Sequence, residues 1–336
     1  MSVTIKDVAR HANVSVATVS RALNGHPNVA EDVRQRILAV AEQLRYSPHH
    51  AARSLSSRRT QTIGVVLPDL YGEFFSELMR GIDHVARERG LHLLVSSYHG
   101  NPQEQGAALR TMRGRVDGLL LMSPFVDGAE ALAADLPPMP VVLMNPALAA
   151  TGHASIGVDN HGGAMAMMRH LLGSGHRRIA FIAGPEDNFD ACERLRGYRD
   201  ALAQEAPGIA PWILPGDFDE ASGHDAGQAL LASAQRPDAV FAANDMMALG
   251  CLFALNEGGL RVPDDIALAG FDDIPLSRYV HPPLTTMRVE IAELGARAIQ
   301  RLLDAAPGGA DPAASPELLS PRLVVRSSSR VQGGAG

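Results

Sequence analysis

Between Ser15 and Asn24 the chain reads SVATVSRALN. Ser15, Thr18, Ser20, Arg21 and Asn24 offer hydroxyl, guanidinium and amide groups, and Val16 and Ala17 among them are small. On one helix that set has a definite chemistry. Hydroxyls bond phosphate oxygens, arginine pairs with the acceptor edge of guanine, and small side chains allow close approach to a groove. The competing reading is a helical hairpin whose polar face is simply wet. A second set stands at or just beyond the ends of apolar runs: Asp69, Phe74, Phe75, Ser123, Asn145, Asp190, Arg194, Phe218, Asn244 and Asp272. Aromatic faces stack on the C–H surfaces of sugar rings, while carboxylates, amides and a guanidinium meet paired hydroxyls. Capping or ion pairing is the simpler assignment for Asp245 and Asp273, core packing for one of Phe74 and Phe75, and plain exposure for Tyr71.

Catalytic and cofactor signatures do not appear. There is no Walker loop, and the single lysine is Lys6. No G-x-G-x-x-G follows a strand, and H-E-x-x-H, C-x-x-C and G-x-S-x-G are all missing. No cofactor, metal site or catalytic residue is expected. Asp190 or Asp272 would have to act as an enzyme's base, and a ligand-orienting carboxylate is the simpler role. Cys192 and Cys251 have no metal-ligand spacing and are expected as buried thiols.

These residues need elements to hold them. Ile5, Val8, Ala9 and Ala12 recur at helical spacing, with Thr4 as N-cap. Asn13 tolerates left-handed geometry, and Ser15 caps a second helix whose inner side is Val19, Ala22 and Leu23. A third helix, 31–45, carries Val33, Ile37 and Leu44 as a roof. Tyr46-Ser47-Pro48 then stops one helix and starts another, PHHAARSLS, of barely two turns, marginal by itself in water. Taken alone, that segment reads as a linker.

The charge is divided along the chain. Net charge is −7, yet residues 1–60 hold nine basic groups against four acidic ones, so this head is +5 and the remainder −12. Attraction for phosphate is thus concentrated at one end. No window of 18 apolar residues and no signal-peptide pattern occurs, which points to a cytoplasmic protein without a membrane partner.

From Thr62 apolar strands alternate with helices: strands near 62–68, 91–98, 116–122 and 140–145, with helices over 73–89, 103–113 and 128–135. After a helix near 161–173 the rhythm restarts, with strands near 177–185, 213–218, 238–245 and 266–273, helices over 191–204, 220–234 and 246–257 between them, and a late strand at 323–325. Strands that are apolar throughout indicate parallel sheets covered on both faces. Two doubly wound lobes result, with chain crossings near 159–162 and 285–290, and ligands are expected beyond the strands' carboxyl ends.

VTIKDVARHANVSVATVSRALNG followed by YSPHHAARSL resembles, almost position by position, the headpiece and hinge of LacI/GalR-type bacterial transcription regulators. ERLRGY, AANDMMALG, GLRVPDDIALAGFDD and PLTTMR resemble that family's sensor domain. The resemblance implies a small all-α helix-turn-helix headpiece (1–46), a hinge helix (47–60) and a periplasmic-binding-protein-like α/β sensor of two doubly wound parallel-sheet lobes (61–330). It implies that Val16 and Ala17 read bases, Arg21 reads guanine, and Thr4, Ser15, Thr18, Ser20, Asn24 and Asn28 complete the DNA-facing set. It also implies that Leu55, with Ala52 in the same hinge, wedges the minor groove of a near-palindromic operator bound by a homodimer. Arg194, Phe218, Asn244, Asp272 and Asn145 match effector contacts. Pro146 departs from the galactose-type pattern, where arginine is common, and asparagine at 244 favours a sugar over a purine.

The expected protein is therefore a regulator, a repressor in the usual case, whose operator affinity is set by a mono- or disaccharide. The alternatives are the same architecture sensing a purine or other metabolite, or acting as an activator. A transporter's solute-binding protein and a sugar-acting enzyme are the readings from other classes.

Overall fold

The computed structural model describes residues 3–23, 26–46, 59–125, 136–144, 153–305 and 316–330. They form two compact units, Met1–Gln61 and Thr62–Gly336. The first is three helices: α1 (Ile5–Ala12), α2 (Val16–Leu23) and α3 (Glu31–Gln43). Thr4 donates its hydroxyl and its N–H to the Asp7 carboxylate (2.7 and 3.0 Å), which fixes the start of α1 and lowers the Asp7 pKa. Asn13 sits at φ +51, turning the chain into α2. Val8, Ala12, Val19, Ala22 and Ile37 are buried between the helices.

The second unit holds two six-stranded sheets. In the first lobe β1 (Thr62–Leu67), β2 (His92–Ser97), β3 (Gly118–Leu121), β4 (Val141–Leu143), β5 (Ala154–Val158) and β11 (Glu317–Leu319) pair in the order β11-β5-β4-β3-β1-β2, all parallel. In the second, β6 (Ile179–Ile182), β7 (Trp212–Leu214), β8 (Ala239–Ala242), β9 (Ala267–Asp272), β10 (Thr285–Arg288) and β12 (Arg322–Val324) run β12-β10-β9-β8-β6-β7. Here β12 is antiparallel, one departure from the wholly parallel expectation. Helices α4 (Glu73–Glu88), α5 (Pro102–Met112) and α10 (Ile291–Asp304) cover the first sheet. The second sheet carries α6 (Asn160–Gly173), α7 (Phe189–Glu205), α8 (Glu220–Ala232) and α9 (Asp245–Glu257).

Four of these elements lie outside the expected pattern: β5, β10, α10 and β11. Their placement adds a third crossing, at 319–322, to the two expected ones. The crossings are bonded together, since Asp159 N donates to Leu319 O (2.9 Å) and Arg322 Nη2 to Glu290 Oε1 (2.6 Å). The expected helix at 128–135 lies outside the described residues. Cys251 is buried as expected. Cys192 is only partly so, and its thiol donates to Glu186 O at 3.1 Å.

Helices α4 and α10 pack backbone to backbone. A Cβ on Gly81 would fall 1.8 Å from Ala292 O, and one on Gly295 would fall 2.3 Å from Leu78 O. Gly81→Ala should therefore destabilise the Thr62–Gly336 unit by about 1–3 kcal/mol, the usual range for overpacking, measured as a shift in urea midpoint. An unchanged midpoint would contradict this contact.

Candidate functional site

The first unit presents one outward face. Ser15 Oγ accepts from Thr18 N (3.1 Å) and lies 2.8 Å from Thr18 Oγ1, capping α2. Burial of Val19 and Ala22 turns the exposed Val16, Ala17 and Arg21 outward, with Ser20 part-exposed beside them. Positions i, i+1, i+4 and i+5 share a helix face, so the four form a continuous strip. Arg34 of α3 donates to Ala22 O (3.1 Å) and His26 O (2.5 Å), holding the far end of α2. Thr4 and Asn28 are exposed. Thr4 also serves as the α1 cap. Asn24, Ala52 and Leu55, and the hinge at 47–58, lie outside the described residues.

The second unit holds a cleft of about 120 Å³ between its lobes. Both sheets reverse strand order beside their first strand, at β1/β3 and β6/β8, the positions where doubly wound folds bind ligands. Phe74 and Phe75 from the start of α4 line the cleft as a T-shaped pair, centroids 5.5 Å apart, with Phe218 beyond β7. Asp190, Arg194, Asn244 and Asp272 complete the expected residues on its wall.

Arg194 organises this wall. It is 5% exposed, and its Nε donates to Asn160 Oδ1 (2.8 Å) and its Nη1 to Ala243 O (2.6 Å). Nη2 lies 3.0 Å from Asp272 Oδ1, an ion-pair contact. The guanidinium carbon sits 3.9 Å from the Phe271 ring centroid and 5.8 Å from that of Phe218. Asn160 Nδ2 donates in turn to Asp190 Oδ1 at 2.8 Å. Burial raises both carboxyls, Asp272 to about 6, against the opposing pull of Arg194. Asp272 at φ +108 and Phe218 at φ +63 hold backbone conformations that non-glycine residues rarely adopt.

Two expected residues are placed differently. Asp69 does not line the cleft, because its Oδ1 accepts from Leu70 N (2.6 Å) and Tyr71 N (3.1 Å) and so builds the turn after β1. Ser123 is buried and hydrogen-bonded to the Tyr98 phenol, off the cleft wall. Asn145 lies outside the described residues. Asn244 does line the cleft, but it is also the α9 cap. Its Oδ1 accepts from Met247 N (2.9 Å) and its Nδ2 donates to Phe218 O (2.8 Å). The neighbouring carboxylates are structural: Asp245 accepts from Thr286 Oγ1 and Ile274 N, while Asp273 binds Arg288, Arg326 and Ser277.

Sequence reasoning did not single out Asn160 and Phe271, which hold Arg194, nor Asn188 and Met246 on the wall. Tyr71 also lines the cleft, and its phenol donates to Glu220 Oε2 across the lobes at 3.3 Å. Two further contacts join the lobes. Leu276 N donates to Glu73 Oε2 (2.9 Å), and Phe189 N to Pro124 O (2.7 Å).

Comparison with known proteins agrees with both units. Residues 4–49 match the family described as bacterial regulatory proteins, lacI family, and residues 168–329 match the periplasmic binding protein-like domain. The chain is 36% identical to catabolite control protein A of Priestia megaterium over 305 residues, 90% of this chain and 92% of that one. It is 37% identical to the HTH-type transcriptional repressor PurR of Klebsiella pneumoniae (strain 342) over 330 residues, 97% and 96% of the two chains. Among solved structures, the lac repressor dimer bound to operator and the anti-inducer ONPF matches with TM-score 0.89 at 30% identity, covering 98% of this chain and all of that one. A complex of the transcriptional regulator CelR with cellobiose matches with TM-score 0.71 at 32% identity, covering 97% and 99%.

The cluster makes its own prediction. Arg194→Ala leaves two deep carboxyls without their cation, and removing one partner of a buried pair costs about 3–5 kcal/mol. Denaturant melts should show that loss at pH 7.5. The deficit should shrink toward pH 5, where the unpaired carboxyls bind protons in the folded state. A deficit independent of pH would mean that Arg194 does not balance Asp190 and Asp272.

Proposed function

This chain belongs to the lacI family of bacterial regulatory proteins, and we propose that it is a cytoplasmic, homodimeric repressor that a sugar controls through the interlobe cleft. The observation that carries the sugar reading is the Asp190–Asn160–Arg194–Asp272 cluster facing Phe74, Phe75 and Phe218. A pyranose presents flat C–H faces to such aromatics and adjacent hydroxyls that both donate to carboxylates and accept from a guanidinium. The cellobiose complex of CelR supports the same class. Purine sensing, the second reading, is favoured by the similarity to PurR.

On the DNA side, Val16, Ala17 and Arg21 read a half-site from the strip on α2, with Thr4, Ser15, Thr18, Ser20 and Asn28 toward phosphates. A two-fold dimer then reads a near-palindrome. On the sensor side, ligand bound to Asp272 and Arg194 touches groups joined to the crossings: Asn160 opens α6 just past the first, and Val289 N donates to Asp272 O at the second (3.1 Å). The ligand shifts the balance of lobe arrangements by its difference in affinity for them. A tenfold change in operator affinity requires about 1.4 kcal/mol of coupling.

Selection from random duplex DNA tests this directly. It should recover a two-fold sequence, and binding to it should fall steeply with salt. Arg21→Ala should lose about 1–3 kcal/mol on that sequence, roughly 5- to 150-fold, with sugar binding unchanged. Recovery of no two-fold site would defeat the proposal. Sugar affinity should be level above pH 7 and decline below about 6, where Asp272 gains a proton, loses its charge and becomes a weaker acceptor for hydroxyl hydrogen bonds. One pH unit below that value the decline should approach about tenfold. Calorimetric titration from pH 5 to 8 checks it, and a flat profile would remove Asp272 from the contact.

A further inference from the structure

The charge on the cleft wall narrows its ligand further. Among the described residues Arg194 is the one cationic side chain lining the cleft, against two carboxylates, Asp190 and Asp272. Arg194 does not stand ready for an anion. Its Nε and Nη1 already donate to Asn160 Oδ1 and Ala243 O, its Nη2 lies 3.0 Å from the Asp272 carboxylate, and the Phe271 and Phe218 rings lie 3.9 and 5.8 Å from its central carbon. Among the described residues the first-lobe wall offers no balancing charge, since its loops 68–75 and 122–125 contain no lysine, arginine or histidine.

The second-lobe rim adds to the same sign. Asp187, Asp217 and Asp219 flank the lining residues Asn188 and Phe218 in sequence, and they are close enough that the Asp217 carboxyl is raised by burial and by both neighbours. Glu220, bonded to Tyr71, stands beside them. The α7 and α9 N-termini do not serve as open anion sites, since Asn188 Oδ1 already accepts from Ala191 N and Asn244 Oδ1 from Met247 N.

We infer that this cleft selects by charge, taking a sugar with no anionic group and rejecting the phosphate ester or uronic acid of the same sugar. The inference rests on the sugar reading above and narrows it to effectors not yet phosphorylated or oxidised to an acid. An incoming anion would lie against two like charges at a few ångströms. In a site partly closed to water, repulsion at that range is large and weakly screened.

Matched ligands separate charge from size. The purified full chain is titrated by calorimetry with glucose, galactose, ribose and cellobiose. Any that bind are compared with their phosphate ester, their uronic acid, which barely changes the shape, and their amino sugar, which is cationic. The uronic acid and the ester should bind at least about a hundredfold more weakly than the parent, and the amino sugar within about tenfold of it. A uronic acid within tenfold of its parent overturns the inference. So does equal loss for acid and amine, which would mean a steric filter. If no parent and no derivative binds, the sugar reading fails and this one with it. If only the charged esters bind, the sugar class survives and the inference alone is wrong. Asp190→Asn should narrow the parent-to-acid ratio by about tenfold. A purely structural role would weaken both ligands alike and leave that ratio unmoved, which would also count against the assignment.

Discussion

A single buried guanidinium, Arg194, ties together more of this sensor unit than any other side chain on the cleft. It rises from α7 and meets Asn160 at the first turn of α6, the carbonyl of Ala243 beyond β8 and Asp272 at the end of β9, all while lying on Phe271. Desolvating such a charge is costly, and one carboxylate seldom offsets it without further hydrogen bonds. The surrounding acceptors provide that offset and fix where the guanidinium points. The second acid, Asp190, is held through Asn160 rather than by Arg194 directly. The wall of the cleft is therefore rigid before any ligand arrives, which limits the entropy lost on binding.

The first unit solves a different problem. A core of eight small and medium apolar residues cannot stabilise three helices generously, so the ends of the helices matter more than usual. Thr4 and Asp7 secure the start of α1, Ser15 and Thr18 that of α2, and Arg34 holds the exit from α2 by two carbonyls. What remains uncommitted on α2 is the strip of Val16, Ala17 and Arg21. Polar groups used to define the helices thus leave a face whose remaining chemistry suits contact with another molecule.

The sequence revealed most where periodicity was strong and the segment long. The run Thr62–Leu67, the helix over 73–89 that forms α4, and the caps Thr4 and Ser15 could all be read directly. So could the list of strand ends, which gave Phe74, Phe75, Asp190, Arg194, Phe218, Asn244 and Asp272 on one cleft. Short elements were harder. β5 is five residues, ASIGV, with small side chains and no alternation, and β11 is three residues whose pairing depends on β5. Asn160 fell within the expected crossing at 159–162, but without β5 that crossing was not tied to a strand end, which is why its hold on Arg194 and Asp190 stayed hidden. By contrast α10 was there to be seen in Ile291, Leu294, Ala298 and Leu302 at helical spacing. Asp69 and Ser123 show the opposite error. Both follow strands at the correct end, but position along a strand does not reveal whether a side chain faces the cleft, its own turn or a neighbouring phenol.

The way the two lobes are joined follows from the same arrangement. Contacts that join the lobes at the cleft mouth, such as Tyr71 with Glu220, lie in water and hold little energy against it. The interior of each lobe is closely packed by backbone-to-backbone helix contacts at Gly81, Gly223 and Gly250, which opposes deformation within a lobe. Between them run three crossings, bonded to one another by Asp159 with Leu319 and by Glu290 with Arg322, and bonded to the cleft wall through Asn160 and Val289. Close packing within the lobes, exposed contacts between them and bonded crossings concentrate any change of lobe arrangement at the crossings. Arg194 and Asp272, both buried, line this cleft with Asp190, so a few hydrogen bonds made there bear on groups that are bonded to the crossings.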